Sequence, residues 1–510
     1  MKKIILSVIL LATIECFGLT PKEYYTQLTN LAPYSDSWKS DFPTASKAAV
    51  EKSARAMAEQ ETRRKVASDL DQEFFESKMS PAMKEFREKF LQVKTADQLD
   101  ALLLKANEKY DSYPADLKFI VAQVLPLRAL RGIIWRLIPT VEDTKMAHSL
   151  ILTQVKSIAV NMKLLLPTEQ WQAGFDYVTQ PFVENGIPPF VNTGKVVAQF
   201  ERGNEISVQV FFRSQLIPAL RESSARLEKL DLSSDLSVWD NKLLYGSGSF
   251  PTAMDRYALF GEVERHAALS NIYAVLSEAC FQSAYSIQGS LRMNQEIGRL
   301  YGWDGTLNNV DGVPAAKRVS VIRKPQYASW GLLFQDGKQW TSDAWMFLAR
   351  SVEHGDQMWE AMKNRPVSET FMVSNAYALP FQRPIENRFK MLKRITQGPA
   401  EVRSFITDEK VTVNLKEYYL NPPADLKQLY ATGFEGGLDM ITTDLKVGDK
   451  TQKVKYRNYD YGRPTQWNLS VYRPYFPDVK SNEDLKKTVR VLTQGWGTFI
   501  VAVPLINYMN

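Results

Sequence analysis

The amino-acid sequence predicts an α-rich α+β fold, with helical N-terminal and middle regions and a smaller mixed, sheet-containing C-terminal region. Hydrophobic residues make up 45% and charged residues 24% of the 510 positions, the balance of a globular protein with a sizeable core. Apolar residues recur at helical spacing through most of the chain before residue 400. After that point, β-branched and aromatic runs separated by proline and glycine indicate strands.

These changes of pattern divide the chain into four segments. The segments are a signal peptide (1–18), a helical domain (19–185), a mostly helical middle region with a short β-hairpin (186–400) and a mixed α/β region (401–510).

Helix-start signals define the elements of the helical domain. Thr44–Ser77 contains no glycine or proline and is rich in alanine, lysine and glutamate, which favour helices. Ser80 and Pro81 indicate the start of the next helix, because proline is favoured in the first turn. The remaining predicted helices are Pro81–Val93, Thr95–Tyr110, Pro114 towards Ile138 with a division at Pro126, and Glu142–Leu166.

The middle region is predicted to begin with a hairpin and to continue in helices. Gly203 and Asn204 form a turn signal between two alternating segments, Lys195–Phe200 and Glu205–Phe212. The expected helices are Leu216–Leu230, Thr252–Leu300 with a seam at Gly289, and Asp343–Glu353, with residues 301–343 as loops. Gly355 is read as the cap that ends the last helix, and His354 as a residue favoured there by the helix dipole.

Strand composition dominates the predicted elements of the C-terminal region. The expected strands are Val411–Leu415, Val454–Tyr459, Asn468–Tyr472 and Phe499–Val503.

The first residues have the pattern of a secretory signal peptide. Lys2 and Lys3 precede the largely apolar run Ile4–Ile14, which is shorter than the about 20 residues that span a bilayer. We therefore expect cleavage after Gly18 and export to the periplasm or medium. Cys16 offers lipid anchoring as an alternative, which the preceding glutamate disfavours.

Charge and cysteine usage exclude several kinds of protein. A net charge of +6 without a concentrated basic segment does not indicate nucleic-acid binding. If Cys16 leaves with the signal peptide, Cys280 has no disulfide partner and thiolate zinc sites are excluded. Cys280 itself lies in an apolar helical run and is read as a packing residue.

Motif searches add further exclusions. The sequence lacks G-x-S-x-G, H-E-x-x-H, G-x-x-x-x-G-K, G-x-G-x-x-G and S-x-x-K. We predict no cofactor. The three histidines, His148, His266 and His354, are widely spaced and predict no metal site.

Three residues near one helix start are weak catalytic candidates. Glu262 and His266 are four residues apart, so both side chains lie on one helix face, and Glu264 adds a carboxylate. Glu262 could orient His266 as a general base. The same spacing also suits an ordinary packing or surface pair.

A segment rich in aromatic and arginine residues is the candidate binding surface. Such side chains stack on sugars and form binding hot spots, although a tyrosine-rich sheet is the simpler alternative. The candidate residues are Tyr456, Arg457, Tyr459, Tyr461, Arg463, Trp467, Tyr472 and Arg473.

These observations favour an exported, non-catalytic binding or scaffold protein of the bacterial envelope. Its partner would be an envelope protein or a glycan, and not nucleic acid. The alternative is an exported carboxylate-dependent hydrolase acting on cell-wall or carbohydrate substrates. Membrane association, through a lipid on Cys16 or through the apolar Phe119–Ile138, is a less favoured alternative.

Overall fold

The structure, a computed structural model, confirms the α-rich α+β fold. It describes residues 70–131, 173, 177, 209–232, 236–240, 256–290, 292–293, 296–297, 315–366, 371–373, 382–403, 409–435, 439–447, 450–458 and 463–493. The predicted signal peptide, the helix Glu142–Leu166 and the strand Phe499–Val503 lie outside these residues.

Helices form most of the described structure. They are α1 (Leu70–Lys78), α2 (Pro81–Leu91), α3 (Ala96–Glu108), α4 (Ala115–Val124), α5 (Ile217–Glu228), α6 (Glu262–Ala284), α7 (Ala315–Ile322), α8 (Gly337–Asn364), α9 (Gln382–Gln397), α10 (Leu415–Leu420), α11 (Leu469–Tyr472) and α12 (Asn482–Thr493). Short 3₁₀ turns occur at Tyr110–Ser112, Leu125–Leu130, Pro325–Tyr327 and Leu426–Leu429, and a π-helical turn at Phe212–Leu216 leads into α5.

The described strands form four separate two-stranded antiparallel sheets. The strands are β1 (Ser237–Asp240), β2 (Tyr257–Phe260), β3 (Ala400–Arg403), β4 (Lys410–Val413), β5 (Gly433–Glu435), β6 (Asp439–Val447), β7 (Lys450–Asn458) and β8 (Arg463–Gln466). They pair as β1–β2, β3–β4, β5–β8 and β6–β7.

Several predicted helix starts are confirmed in atomic detail. The Ser80 hydroxyl accepts a hydrogen bond from the Met83 amide at 3.1 Å, and Pro81 occupies the first turn of α2. The Thr95 hydroxyl accepts from the Gln98 amide at 3.2 Å and caps α3. Pro126 follows the end of α4, as its missing amide hydrogen requires.

Helix α6 is the centre of the core. Fifteen of its 23 residues are buried, so it is surrounded by other elements rather than lying on the surface. It packs most extensively against α8 and also against α5. Ser270 pairs with Ser351 and Tyr273 with Phe347, so contacts advance along α6 while they retreat along α8, and the two helices are antiparallel.

The main apolar cluster contains residues from the helical domain, the middle region and the C-terminal region. It includes Met83 from the helical domain, Leu276 from the middle region and Tyr418 from the C-terminal region. The predicted segment boundaries stay predictions.

Gly355 does not end a helix, contrary to the sequence prediction. Helix α8 continues through this position to Asn364. A Cβ atom at Gly355 would lie 2.8 Å from the Phe389 ring of α9, so the missing side chain is what allows α9 to pack closely. Gly355 is required by this tertiary contact. From the sequence alone, a glycine required by packing looks the same as a glycine that caps a helix.

Other predicted elements are wrong because short apolar runs fit either type of structure. Tyr257–Phe260 is strand β2 rather than part of the long helix, and it pairs with β1. The sequence predicts a strand over Asn468–Tyr472, but helix α11 occupies Leu469–Tyr472. Residues 301–343 are not loop throughout, since α7 lies among them and α8 begins there.

The predicted hairpin in the middle region is only partly described. Residues 195–208 lie outside the described part of the chain, and residues 209–212, expected as strand, are helical. The Gln209 amide donates to the carbonyls of Gln282 and Tyr285 at 3.2 and 2.6 Å. This docking at the end of α6 favours the helical conformation.

Gly289 lies beyond the end of α6, and its φ of 81° is one that residues with a side chain rarely adopt. The predicted seam at this residue is therefore a turn that follows the helix.

We expect Gly355→Ala to lower the free energy of unfolding by about 1–3 kcal/mol, because the new methyl group would overlap the Phe389 ring. Urea unfolding measures the change, and a double variant with Phe389→Leu should recover part of the loss. A Gly355→Ala protein more stable than wild type, as at an exposed helical glycine, would contradict the close contact.

Candidate functional site

The antiparallel pairing of α6 and α8 brings two histidines face to face. Nδ1 of His266 lies 3.0 Å from Nδ1 of His354, and the ring centroids are 5.2 Å apart. Both side chains are largely buried. The predicted candidate His266 therefore has a direct partner 88 positions away in sequence.

Glu262 holds the outer nitrogen of His266. Its Oε1 lies 3.0 Å from His266 Nε2, which confirms the predicted contact across one helical turn. Arg265 binds both oxygens of the same carboxylate, with Nε donating to Oε2 at 2.8 Å. Burial opposes ionisation of Glu262, but hydrogen bonds from Arg265 and His266 outweigh it and lower its pKa to about 2.

A second carboxylate, Glu228 at the end of α5, faces the outer nitrogen of His354. Its Oε1 lies 3.8 Å from His354 Nε2. The Tyr273 hydroxyl donates to the same oxygen, and Arg350 Nη1 donates to it at 2.7 Å and to the Tyr273 hydroxyl at 2.8 Å. Burial and the hydrogen bond to Glu228 raise the pKa of Tyr273.

The result is a continuous polar chain, Glu262–His266–His354–Glu228, which we call the histidine chain. Burial lowers the pKa of His354, and a positive charge on His266 lowers it further. The Tyr273 ring stacks on His354 with centroids 5.5 Å apart. One edge reaches solvent, where 46% of the Arg350 side chain and 35% of the Glu228 side chain are exposed.

Glu264, the other predicted catalytic carboxylate, is not part of this chain. Its side chain is 1% exposed and accepts hydrogen bonds from the Gly261 amide at 2.9 Å and the Val373 amide at 3.0 Å. Arg365 Nη1 donates to it at 3.0 Å. Glu264 therefore joins the start of α6 to the end of α8 and to the segment 371–373.

The structure removes two residues from the predicted aromatic binding surface. Trp467 and Tyr472 are 7% and 0% exposed. The Tyr472 hydroxyl donates to the Leu429 carbonyl, and the Trp467 amide donates to Asn482 Oδ1 at 3.0 Å. Both rings therefore pack in the core rather than on an exposed binding surface.

The remaining residues of that surface are only partly described. Arg473 is exposed. Tyr456 and Arg457 lie on β7, where they pair with Ile441 and Met440 of β6, and Arg463 begins β8. Tyr459 and Tyr461 lie outside the described residues.

Cys280 is fully buried on α6. Burial raises the pKa of its thiol to about 12, so the thiolate needed for nucleophilic chemistry is scarce at neutral pH. The expectation that Cys280 is a packing residue agrees with this environment.

The described residues contain no group of side chains suited to a metal ion and no helix suited to spanning a membrane. Their histidine, cysteine and carboxylate side chains do not form groups of three or more that could hold a metal ion. Within the same residues, no helix combines the length and apolar character needed to cross a bilayer.

Sequence reasoning found Glu262 and His266 but missed their partners. The sequence pattern assigns His354 only to a helix end and does not single out Glu228, Tyr273 or Arg350. The only available signal was the scarcity of histidine, since two of the three histidines lie in the two longest described helices.

No protein-family model, curated protein or solved structure matches this chain.

We expect Glu264→Gln to lower the free energy of unfolding by about 3 kcal/mol, because it leaves the buried Arg365 without a carboxylate. Glu262→Gln is the matched control and should cost about 1 kcal/mol, since Glu262 is partly exposed. Urea unfolding at neutral pH measures both variants.

The acid range gives a further check on Glu262. The pKa of Glu262 is lowered from 4.5 to about 2. Ionised Glu262 therefore contributes to the free energy of unfolding above pH 4.5, and this contribution is lost as the pH falls towards 2. The stability difference between wild type and Glu262→Gln should shrink over that range. At neutral pH, equal losses of unfolding free energy in Glu262→Gln and Glu264→Gln would contradict the different burial of the two carboxylates.

Proposed function

We propose that this protein is an exported, non-catalytic binding or scaffold protein of the bacterial envelope. The observation that carries this proposal is the state of the two candidate catalytic carboxylates. Glu264 is enclosed by three donor groups, and Glu262 is held ionised by Arg265 and His266. A general acid needs a raised pKa, and a nucleophilic carboxylate needs a free oxygen that faces the substrate.

The packing of the described chain supports a scaffold role. The central helix α6 has 15 of its 23 residues buried, and the main apolar cluster extends from the first described helix to the last. Such a core holds surface segments in fixed positions. We propose that the exposed Arg473, together with Tyr456 and Arg457 of β7, contacts an envelope protein or a glycan.

Export is supported by the N-terminal sequence pattern of two lysines, an apolar run and small residues near Gly18. We expect the protein recovered from fractionated native cells to begin near Leu19 in the periplasm or medium. Intact-mass analysis and N-terminal sequencing test this expectation. A chain that starts at Cys16 with added lipid mass would replace soluble export by anchoring, and an uncut chain in the cytoplasm would contradict export.

The alternative is an exported carboxylate-dependent hydrolase, and the contact between Glu262 and His266 is the observation that favours it. We expect purified protein to release no soluble fragments from cell-wall material or polysaccharides, as measured by new reducing ends. Fragment release by wild type that Glu262→Gln abolishes, while Arg473→Ala retains it, would establish the hydrolase instead.

A further inference from the structure

The histidine chain contains a hydrogen bond whose existence depends on protonation. Two imidazole nitrogens 3.0 Å apart can bond only if one carries a hydrogen and the other does not. The bond joins α6 and α8 close to the start of α6. It therefore lies at one end of the contact on which the core is built.

The neighbours of the two rings define which nitrogen carries each hydrogen. His266 Nε2 lies 3.0 Å from Glu262 Oε1 and 3.3 Å from Arg265 Nη2, so the carboxylate is the nearer group. We therefore assign the hydrogen of neutral His266 to Nε2, which leaves its Nδ1 as an acceptor. His354 must then donate from Nδ1. Its Nε2 is left without a hydrogen and faces Glu228 at 3.8 Å.

A first extra proton leaves the bond between the rings intact, although burial opposes the charge on His354. It binds His354 Nε2 on the side of Glu228, and the Nδ1–H of His354 still donates to His266. Both ends of the chain then have a carboxylate facing an N–H group. The bond between the rings becomes a charge-assisted hydrogen bond, which is stronger than a neutral one.

A second proton does not fit. It would occupy His266 Nδ1 and place two N–H groups head to head at 3.0 Å, with a positive charge on each ring. Burial already disfavours the charged form of His354, and a charge on His266 adds to that effect. The described groups that face the pair are Glu262, Arg265 and Tyr273 on α6, Arg350 and Glu353 on α8, and Glu228 on α5.

We propose that His266 and His354 form a proton-controlled latch between α6 and α8. The latch is closed when the pair carries one extra proton or none, and it opens when the second proton binds. Opening separates the start of α6 from the neighbouring turn of α8. This inference does not depend on where the protein acts or on what it binds.

The sign of the pH dependence follows from the proton count. The folded chain with a closed latch binds fewer protons than the unfolded chain, whose histidines titrate near pH 6.5. The latch therefore stabilises the protein fully above about pH 6.5. Its contribution is lost at lower pH, where the unfolded chain binds both histidine protons and the closed pair can hold only one of them. For one proton, the ratio of open to closed molecules rises by at most about tenfold per pH unit in this range.

Titration of the imidazole resonances by NMR tests the latch directly, with EDTA present to exclude bound metal. We expect the pair to titrate in two coupled steps, the lower of them below the range of an ordinary histidine. In His354→Asn, whose side-chain amide can donate from the Nδ1 position, His266 should titrate in a single step. Two independent, unshifted titrations in wild type would overturn the proposal.

Hydrogen exchange tests the opening itself. We expect amides of residues 262–270 and 350–358 to show more opening at about pH 5 than at about pH 7.5, after correction for intrinsic exchange. His148→Asn, which removes the remaining histidine, should keep this response, and His354→Asn should lose it. A response that persists in His354→Asn would overturn the latch, and if that variant does not fold, the wild-type titration decides alone.

Discussion

The close antiparallel contact of α6 and α8 is the constraint on which the described structure depends. Reciprocal hydrogen bonds make the approach of the helices close, since the Ser270 hydroxyl donates to the Ser351 carbonyl and the Ser351 hydroxyl donates to that of Ser270, each at 2.8 Å. Small side chains at these positions let the backbones approach without leaving polar groups unpaired. Elements from the N-terminal, middle and C-terminal regions contribute to the apolar cluster that contains this pair.

The same contact determines where polar groups must be buried. Near the start of α6, Glu264 satisfies backbone amides and the Arg365 guanidinium, and the histidine chain occupies the next turn. Burying a charge is costly unless it is paired. Each of these carboxylates is accordingly paired, and the two histidines are satisfied by each other. Under the proposed latch, this is also the part of the interface whose stability responds to pH.

Most helices of the fold could be predicted from local signals, and the tertiary roles of single residues could not. Proline at a first turn and a threonine cap located α2 and α3 because these signals act within a few residues. Judged from its sequence neighbours, Gly355 indicates a helix end. In the structure it lies inside α8, where its missing side chain makes room for Phe389 of α9. Tyr257–Phe260 and Leu469–Tyr472 are four-residue runs, too short for periodicity to separate strand from helix.

For the candidate site, the sequence by itself determined that Glu262 and His266 lie one turn apart on the same helix face, because this follows from their spacing wherever the helix packs. It also determined the α-rich character of the chain and the export pattern on which the proposed location rests. Only the tertiary structure placed His354 and Glu228 against that turn and turned Trp467 and Tyr472 into the core. The reason is that local patterns specify which residues share a helix face, whereas the partner of that face is selected by packing between segments far apart in the chain.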